Sequence, residues 1–234
     1  MLWELSVSFF HIEAWILPGP ETIAHEAAKN ASGIWEHTLA TLKLTIIGFP
    51  IGVAVGILVA LLLHVFPWLK RTFYPLLILS QNVPSIALGP LLVIWFGFGL
   101  LPKIILITLV CFFPIAVAMM GGLMQSDIMM MNYMQMAGAS KWQIFTKLEL
   151  PASLPSLFSG IKISATYAVM GAVIAEWIGA DKGIGIYMQL QKSAYRTDRM
   201  FVAIIIIVLL SLLLFAIITL LEKWLVRWKP ARRR

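Results

Sequence analysis

Few side chains in this 234-residue chain have the types and spacings that do chemistry, and each group falls short of a catalytic set. His25-Glu26-Ala27-Ala28 opens like a zinc-binding helix, but Lys29 stands where the second histidine ligand would be. There is no Gly-x-Ser-x-Gly nucleophile elbow, and no Gly-x-x-x-x-Gly-Lys loop to cradle nucleotide phosphates. The single cysteine, Cys111, lies in an apolar run, so a disulfide framework and a cysteine metal site are both excluded. His37 and His64 stand at opposite ends of one apolar stretch and cannot form a base and nucleophile at one depth. What remains is Glu176 inside an apolar run, Ser80-Gln81-Asn82 beside Pro84, and a mixed segment at 121–156.

The elements that must position these groups follow from composition. Hydrophobic residues make up 60% of the chain and charged ones 12%, against about 45–50% and 25% in soluble domains. A soluble globular protein is therefore excluded. Spanning a bilayer takes about 20 apolar residues in a helix, and apolar length predicts five spans: 38–65, 73–98, 100–120, 157–178 and 201–224. The fold class expected is an all-α polytopic membrane bundle. Residues 1–36 form an N-terminal interfacial or truncated helix plus an external stretch, 37–226 the membrane domain, and 227–234 a basic tail. Pro18-Gly19-Pro20 marks a rigid exit from the first segment, which lacks the basic start and small-residue cleavage site of a signal peptide.

The net charge of +7 is accounted for by loop positions rather than by a nucleic-acid surface. One side of the membrane holds ten basic residues (Lys70, Arg71, Lys141, Lys147, Lys223, Arg227, Lys229, Arg232, Arg233, Arg234). The other holds six (Lys29, Lys103, Lys182, Lys192, Arg196, Arg199). The positive-inside rule then puts the C-terminus in the cytoplasm. Lys43 and Lys162 read as snorkelling anchors. Trp68, Trp224 and Trp228 read as an inner aromatic belt, with Trp177 in an outer one.

Span 73–98 carries Pro75, Pro84 and Pro90, which predicts a kink or break near its middle. Unwound backbone at membrane depth is tolerated only against protein or a water-filled cavity. Ser80, Gln81 and Asn82 therefore either bond the freed carbonyls or line a translocation path. Glu176 is expensive in lipid unless paired. Its nearness to Asp181-Lys182-Gly183 suggests an outer gate rather than a direct cargo contact.

The segment 121–156 is not a flexible linker. Residues 127–136 are helix-compatible, Gly138 supplies a turn, and Ser140 with Gln143 fits a capping box that starts a second helix, expected to end at Leu150-Pro151. Trp142 and Phe145 would be exposed on it and should dock onto something. The methionines Met129, Met130, Met131, Met134 and Met136 read as packing or as an adaptable partner surface.

Gly138, with Leu148 ten residues on and then Glu149-Leu150-Pro151, resembles the second half of the EAA loop of ABC importer permeases, which inserts into a cleft of the cytoplasmic ATPase. The first half departs, with Asn132-Tyr133-Met134 where the family commonly has Glu-Ala-Ala. The resemblance extends over most of the chain to the branch serving nitrate, aliphatic sulfonates, taurine and thiamine-pyrimidine precursors. It runs through Ile16-Leu17-Pro18-Gly19-Pro20, His37-Thr38-Leu39-Ala40-Thr41-Leu42, Ser80-Gln81-Asn82-Val83-Pro84, the stretch from Gly89-Pro90 to Gly97-Phe98-Gly99, and Gly171 to Ala180. The usual member has a further N-terminal span ahead of Trp3-Glu4.

The resemblance implies a type I ABC importer fold and an ATPase-coupling set of Asn132, Gly138, Ala139, Ser140, Lys141, Trp142, Phe145, Leu150 and Pro151. Ser80, Gln81, Asn82 and Glu176 would line the path or its gate. It implies a bacterial cytoplasmic membrane, a second permease copy, a cytoplasmic ATPase dimer that uses ATP and Mg, and an extracytoplasmic solute-binding protein. No cofactor or metal is expected in this chain, and no enzymatic activity. Hydroxymethylpyrimidine or a related thiamine precursor is the cargo the pattern most resembles, with sulfonate, taurine and nitrate as the others. A secondary transporter or channel is the competing class, and would need coupling charges deep in several spans.

Overall fold

The computed structural model describes residues 2–10, 13, 15–80 and 82–226, so Gln81 and the basic tail at 227–234 with Trp228 lie outside the described residues. In chain order the helices are α1 (Leu2–Phe9), α2 (Pro20–Lys29), α3 (Ala31–Val65), α4 (Pro67–Ser80), α5 (Ser85–Phe96), α6 (Leu100–Met124), α7 (Ile128–Met136) and α8 (Lys141–Ile144). A π-helical turn (Phe145–Glu149) leads into α9 (Leu150–Glu176), followed by α10 (Ile184–Ser193) and α11 (Thr197–Leu225). No strand occurs among the described residues.

Among the described residues, four continuous stretches are long and apolar enough to cross a membrane: Ala31–Val65, Leu100–Met124, Lys141–Glu176 and Thr197–Leu225. Five spans were expected. The stretch 73–98 is instead two helices, α4 and α5, interrupted ahead of Pro84. At 14 and 12 residues they are roughly 21 and 18 Å long, each short of the ~30 Å hydrocarbon core. They count as a fifth span only if the bent pair crosses as one.

Three boundaries differ from the sequence reading. The stretch read as external is helical, and the span read as 38–65 begins earlier: Gly19 is the N-cap of α2, Pro20 opens it, and α3 begins at Ala31. Proline fits a first turn, where its missing N–H would have had no partner. The helix expected to end at Leu150-Pro151 does not end there but continues through the π turn into α9. A π turn widens the helix ahead of Pro151, which gives the ring room against the preceding turn. Glu176, expected about three-quarters along its span, is the last residue of α9.

The chain divides into two compact units, Met1–Gly48 with Ser85–Ile107 and Ala168–Leu212, and Phe49–Pro84 with Thr108–Tyr167 and Leu213–Arg234. The first has a core of Ile23, Ile34, Ile184, Tyr187, Val202 and Ala203, joining α2, α10 and the starts of α3 and α11. Trp3 of α1 lies against Phe201, their ring centroids 5.6 Å apart.

The second unit packs through small residues, as helices must where lipid supplies no hydrophobic drive. A Cβ on Gly52 would fall 2.7 Å from Cys111 Cβ, and one on Gly56 2.7 Å from the Phe112 carbonyl oxygen. Ser164 donates to the Cys111 carbonyl at 2.7 Å, joining α9 to α6. Gly48 repeats the pattern against Ile107 within the first unit. The four-residue spacing of Gly48, Gly52 and Gly56 on α3 was a readable packing signal that the span assignment overlooked.

Candidate functional site

Within the 121–156 segment, Asp127 caps α7 by accepting from the Met129 and Met130 N–H groups at 2.8 and 3.4 Å. The turn follows at Gly138, whose φ of 78° lies in the left-handed region open to glycine. Ser140 then closes both bonds of a capping box with Gln143, at 2.8 and 3.3 Å. The result is a rigid helix-turn-helix made by local hydrogen bonds.

Its outward surface carries large apolar side chains. Trp142 is 70% exposed and Met136 81%, with Ile128, Met129 and Tyr133 exposed beside them. Met129, Met130 and Met136 therefore do not serve as packing within the chain, whereas Met131 and Met134 are half-buried. Asn132, Ser140 and Lys141 are exposed on the same segment, while Ala139, Leu150 and Pro151 are half-buried. Phe145, expected to be exposed, is half-buried instead: its ring lies 5.8 Å from that of His64 and 5.6 Å from that of Trp142. His64 Nε2 meets Glu149 Oε2 at 2.9 Å. These contacts tie the π turn to the end of α3, and no local sequence pattern announces them.

Glu176 occupies a second polar centre. Its side chain is buried, with 1% of the residue exposed, and Oε2 accepts the Gly185 N–H at 2.7 Å. Gly183, with φ of 144°, presses on the carboxylate so closely that a Cβ there would fall 2.2 Å from its carbon. Thr41 Oγ1 accepts the Ile184 N–H at 2.8 Å, and His37 Nδ1 lies 3.0 Å from the Gly183 carbonyl oxygen. Trp177 is half-buried and donates from its ring to the Gly185 carbonyl at 3.0 Å. The carboxylate is thus held by a glycine turn and α3. The sequence pointed to the Asp181-Lys182-Gly183 loop but not to His37 or Thr41.

At the interruption between α4 and α5, Ser80 donates to the Leu77 carbonyl at 2.8 Å, and Asn82 Nδ2 to the Leu79 carbonyl at 3.3 Å. Both side chains finish the orphaned end of α4, and both residues are exposed. Lys162, read as an interfacial anchor, instead donates to Glu222 of α11 at 2.8 Å. A separate cluster pins α2 to the start of α11: Glu26 accepts from Arg199 Nε at 3.0 Å and meets Arg196 Nη2 at 3.0 Å. The Arg199 hydrogen bond, aided by the charges of Arg196 and Arg199, holds the Glu26 carboxyl below its usual range against the opposing effect of desolvation.

No group of three or more metal-ligating side chains occurs among the described residues. The family model for "Binding-protein-dependent transport system inner membrane component" matches residues 52–227. The chain is 34% identical over 230 residues to the formylaminopyrimidine transport permease protein ThiX of Halalkalibacterium halodurans, covering 98% of this chain and 92% of that protein. It is 32% identical over 232 residues to the putative aliphatic sulfonates transport permease protein SsuC of Escherichia coli, covering 98% and 88%. Its fold is similar to that of the MetNI methionine ABC transporter in an inward-facing conformation, with a TM-score of 0.66 and 23% identity over 84% of this chain and 94% of the other. The divided-helix bundle, the capped turn at Gly138 and this match over most of the sequence agree, and the chain belongs to the family of binding-protein-dependent transport system inner membrane components.

Proposed function

We propose that this permease imports a pyrimidine-type thiamine precursor as one of two copies, driven by a cytoplasmic ATPase pair and supplied by an extracytoplasmic binding protein. The observation that carries the coupling role is the exposed apolar surface around Trp142 on a rigid turn that continues, through the π turn, into α9. An apolar surface on so well capped an element calls for a protein partner. ATP and Mg belong to that partner, because this sequence has no phosphate-binding loop. Closure of the ATPases would move the Gly138 turn, with Asn132, Ala139, Ser140, Lys141, Phe145, Leu150 and Pro151 forming the docked surface and its root. Rocking of the helices would then alternate access to the cargo. Ser80, Gln81 and Asn82 would line the path, and Glu176 would set the outer gate with its glycine turn. The C-terminus would be cytoplasmic.

The pyrimidine cargo is supported by similarity to ThiX, with aliphatic sulfonate, taurine or nitrate as the competing cargo class. A secondary transporter is less well supported. Lys162 is already paired with Glu222, and Glu176, with Oε2 on the Gly185 N–H and Oε1 without a hydrogen-bond partner among the described residues, would be one carboxylate where coupling charges in several spans are needed.

The coupling role is tested at Gly138. A Cβ there meets nothing within 4 Å, but φ of 78° opposes a branched side chain. Gly138→Val should insert normally in the membrane yet lose uptake and ATPase stimulation in the reconstituted importer. Uptake equal to that of the unaltered protein would remove this segment from the mechanism.

A further inference from the structure

Most of the circumference of α9 is buried, yet Ser159, Ile163, Thr166 and Tyr167 are exposed. Their spacing of three and four residues puts them on one stripe. The exposed residues in the middle of α11, Val208, Leu209, Leu212 and Leu213, are all aliphatic, as suits a lipid-facing surface. The α9 stripe differs in carrying three hydroxyls. Ser159 donates to the Pro155 carbonyl at 3.0 Å and Thr166 to the Ile163 carbonyl at 2.7 Å, so their own helix satisfies them. Tyr167 is 42% exposed and its hydroxyl meets no partner among the described residues. It stands nine residues before the end of α9 at Glu176, about 14 Å along the axis and so near the middle of a ~30 Å hydrocarbon core. A phenol facing acyl chains at that depth would lack an acceptor, at a cost of a few kcal/mol.

We propose that the face formed by Ile163, Thr166 and Tyr167 lines the solute path, with Tyr167 as the contact, and that it admits an uncharged, ring-bearing solute in preference to an organic anion. The inference rests on the import function proposed above and deepens its choice of cargo. A flat ring stacks on the tyrosine while its polar edge meets the phenol hydroxyl. An anion finds no free cation here, because neighbouring Lys162 is bound to Glu222 at 2.8 Å. Midplane placement is where transporters that alternate access hold their cargo.

The test uses the complete importer, with ATPase and binding protein, in lipid vesicles. In a Cys111→Ser background, single cysteines at 163, 166 and 167 should react with a charged, water-soluble methanethiosulfonate at least about tenfold faster than one at 209, since the reagent cannot enter hydrocarbon cheaply. No preferential reaction, or a spontaneous disulfide between two copies at Thr166→Cys, overturns the path assignment; the disulfide would make this face the contact between copies. Uptake of labelled hydroxymethylpyrimidine should fall about tenfold in Tyr167→Ala and less in Tyr167→Phe, in keeping with the loss of a ring contact. Preference of the unaltered importer for an anionic alkanesulfonate such as ethanesulfonate over hydroxymethylpyrimidine overturns the charge inference and the cargo reading together, while the labelling decides the path independently. Normal pyrimidine uptake with unreactive thiols overturns the path alone and leaves the cargo reading standing.

Discussion

At the scale of single residues, the tightest constraint is the contact between Gly183 and Glu176. Gly183 has φ of 144° and ψ of 157°, a conformation essentially confined to glycine, and the carboxylate fills the space a side chain would take. Gly183→Ala therefore meets strain and overlap at once, together roughly 2–5 kcal/mol. Thermal unfolding of the purified variant in detergent should show a clearly lower midpoint. An unchanged midpoint would mean that the glycine turn does not clamp the carboxylate. Glu176 itself was visible in the sequence because a carboxylate in an apolar run stands out. Its partners were not, because His37 and Thr41 reach it through backbone groups of a turn more than 140 positions away, as in the separation of 146 between His37 and Gly183.

At the scale of elements, α3 and α6 test two opposing local rules. Helix propensity alone says that alanine stabilises a helical glycine position by about 1 kcal/mol. At Gly56 the added Cβ would fall 2.7 Å from the Phe112 carbonyl oxygen, which is backbone and cannot swing away. Gly56→Ala should therefore destabilise by about 1–3 kcal/mol. Gly121→Ala, where nothing lies within 4 Å, should be neutral or gain. Unfolding midpoints of the two variants, compared in one detergent, separate packing from propensity, and a gain at both positions would refute the close packing. The helices of the spans were largely legible, since apolar length reports itself. The capping box at Ser140 was legible too, being local. The π turn was not, because nothing in Phe145-Thr146-Lys147-Leu148-Glu149 distinguishes a five-residue turn from an ordinary one; it is tied in place by His64, 85 positions from Glu149.

At the scale of the whole molecule, the membrane class followed from composition and the count of spans did not. An apolar run looks the same whether it crosses the bilayer or turns back, so the pair α4 and α5 could not be told from a single helix with prolines in it. Orientation rests on the imbalance of ten basic residues against six, six of the ten lying in the C-terminal 12 residues. A fluorescent protein fused after Arg234 should fold and glow in cells, whereas alkaline phosphatase fused at the same point should be inactive. The reverse pattern would invert the whole topology and move the Trp142 surface to the other side. Long-range ion pairs such as Glu26 with Arg199, 173 positions apart, have no local period and so leave no trace in the sequence.

The stretch of the Lys141–Glu176 run inside the second unit, Lys141 to Tyr167, is a helical rod of about 40 Å. A tilt of only about 5° about its Tyr167 end carries the Trp142 end through about 3.5 Å. A small rocking of the rod is therefore matched by a displacement of several ångströms at the Trp142 surface, without any residue along it having to change its conformation.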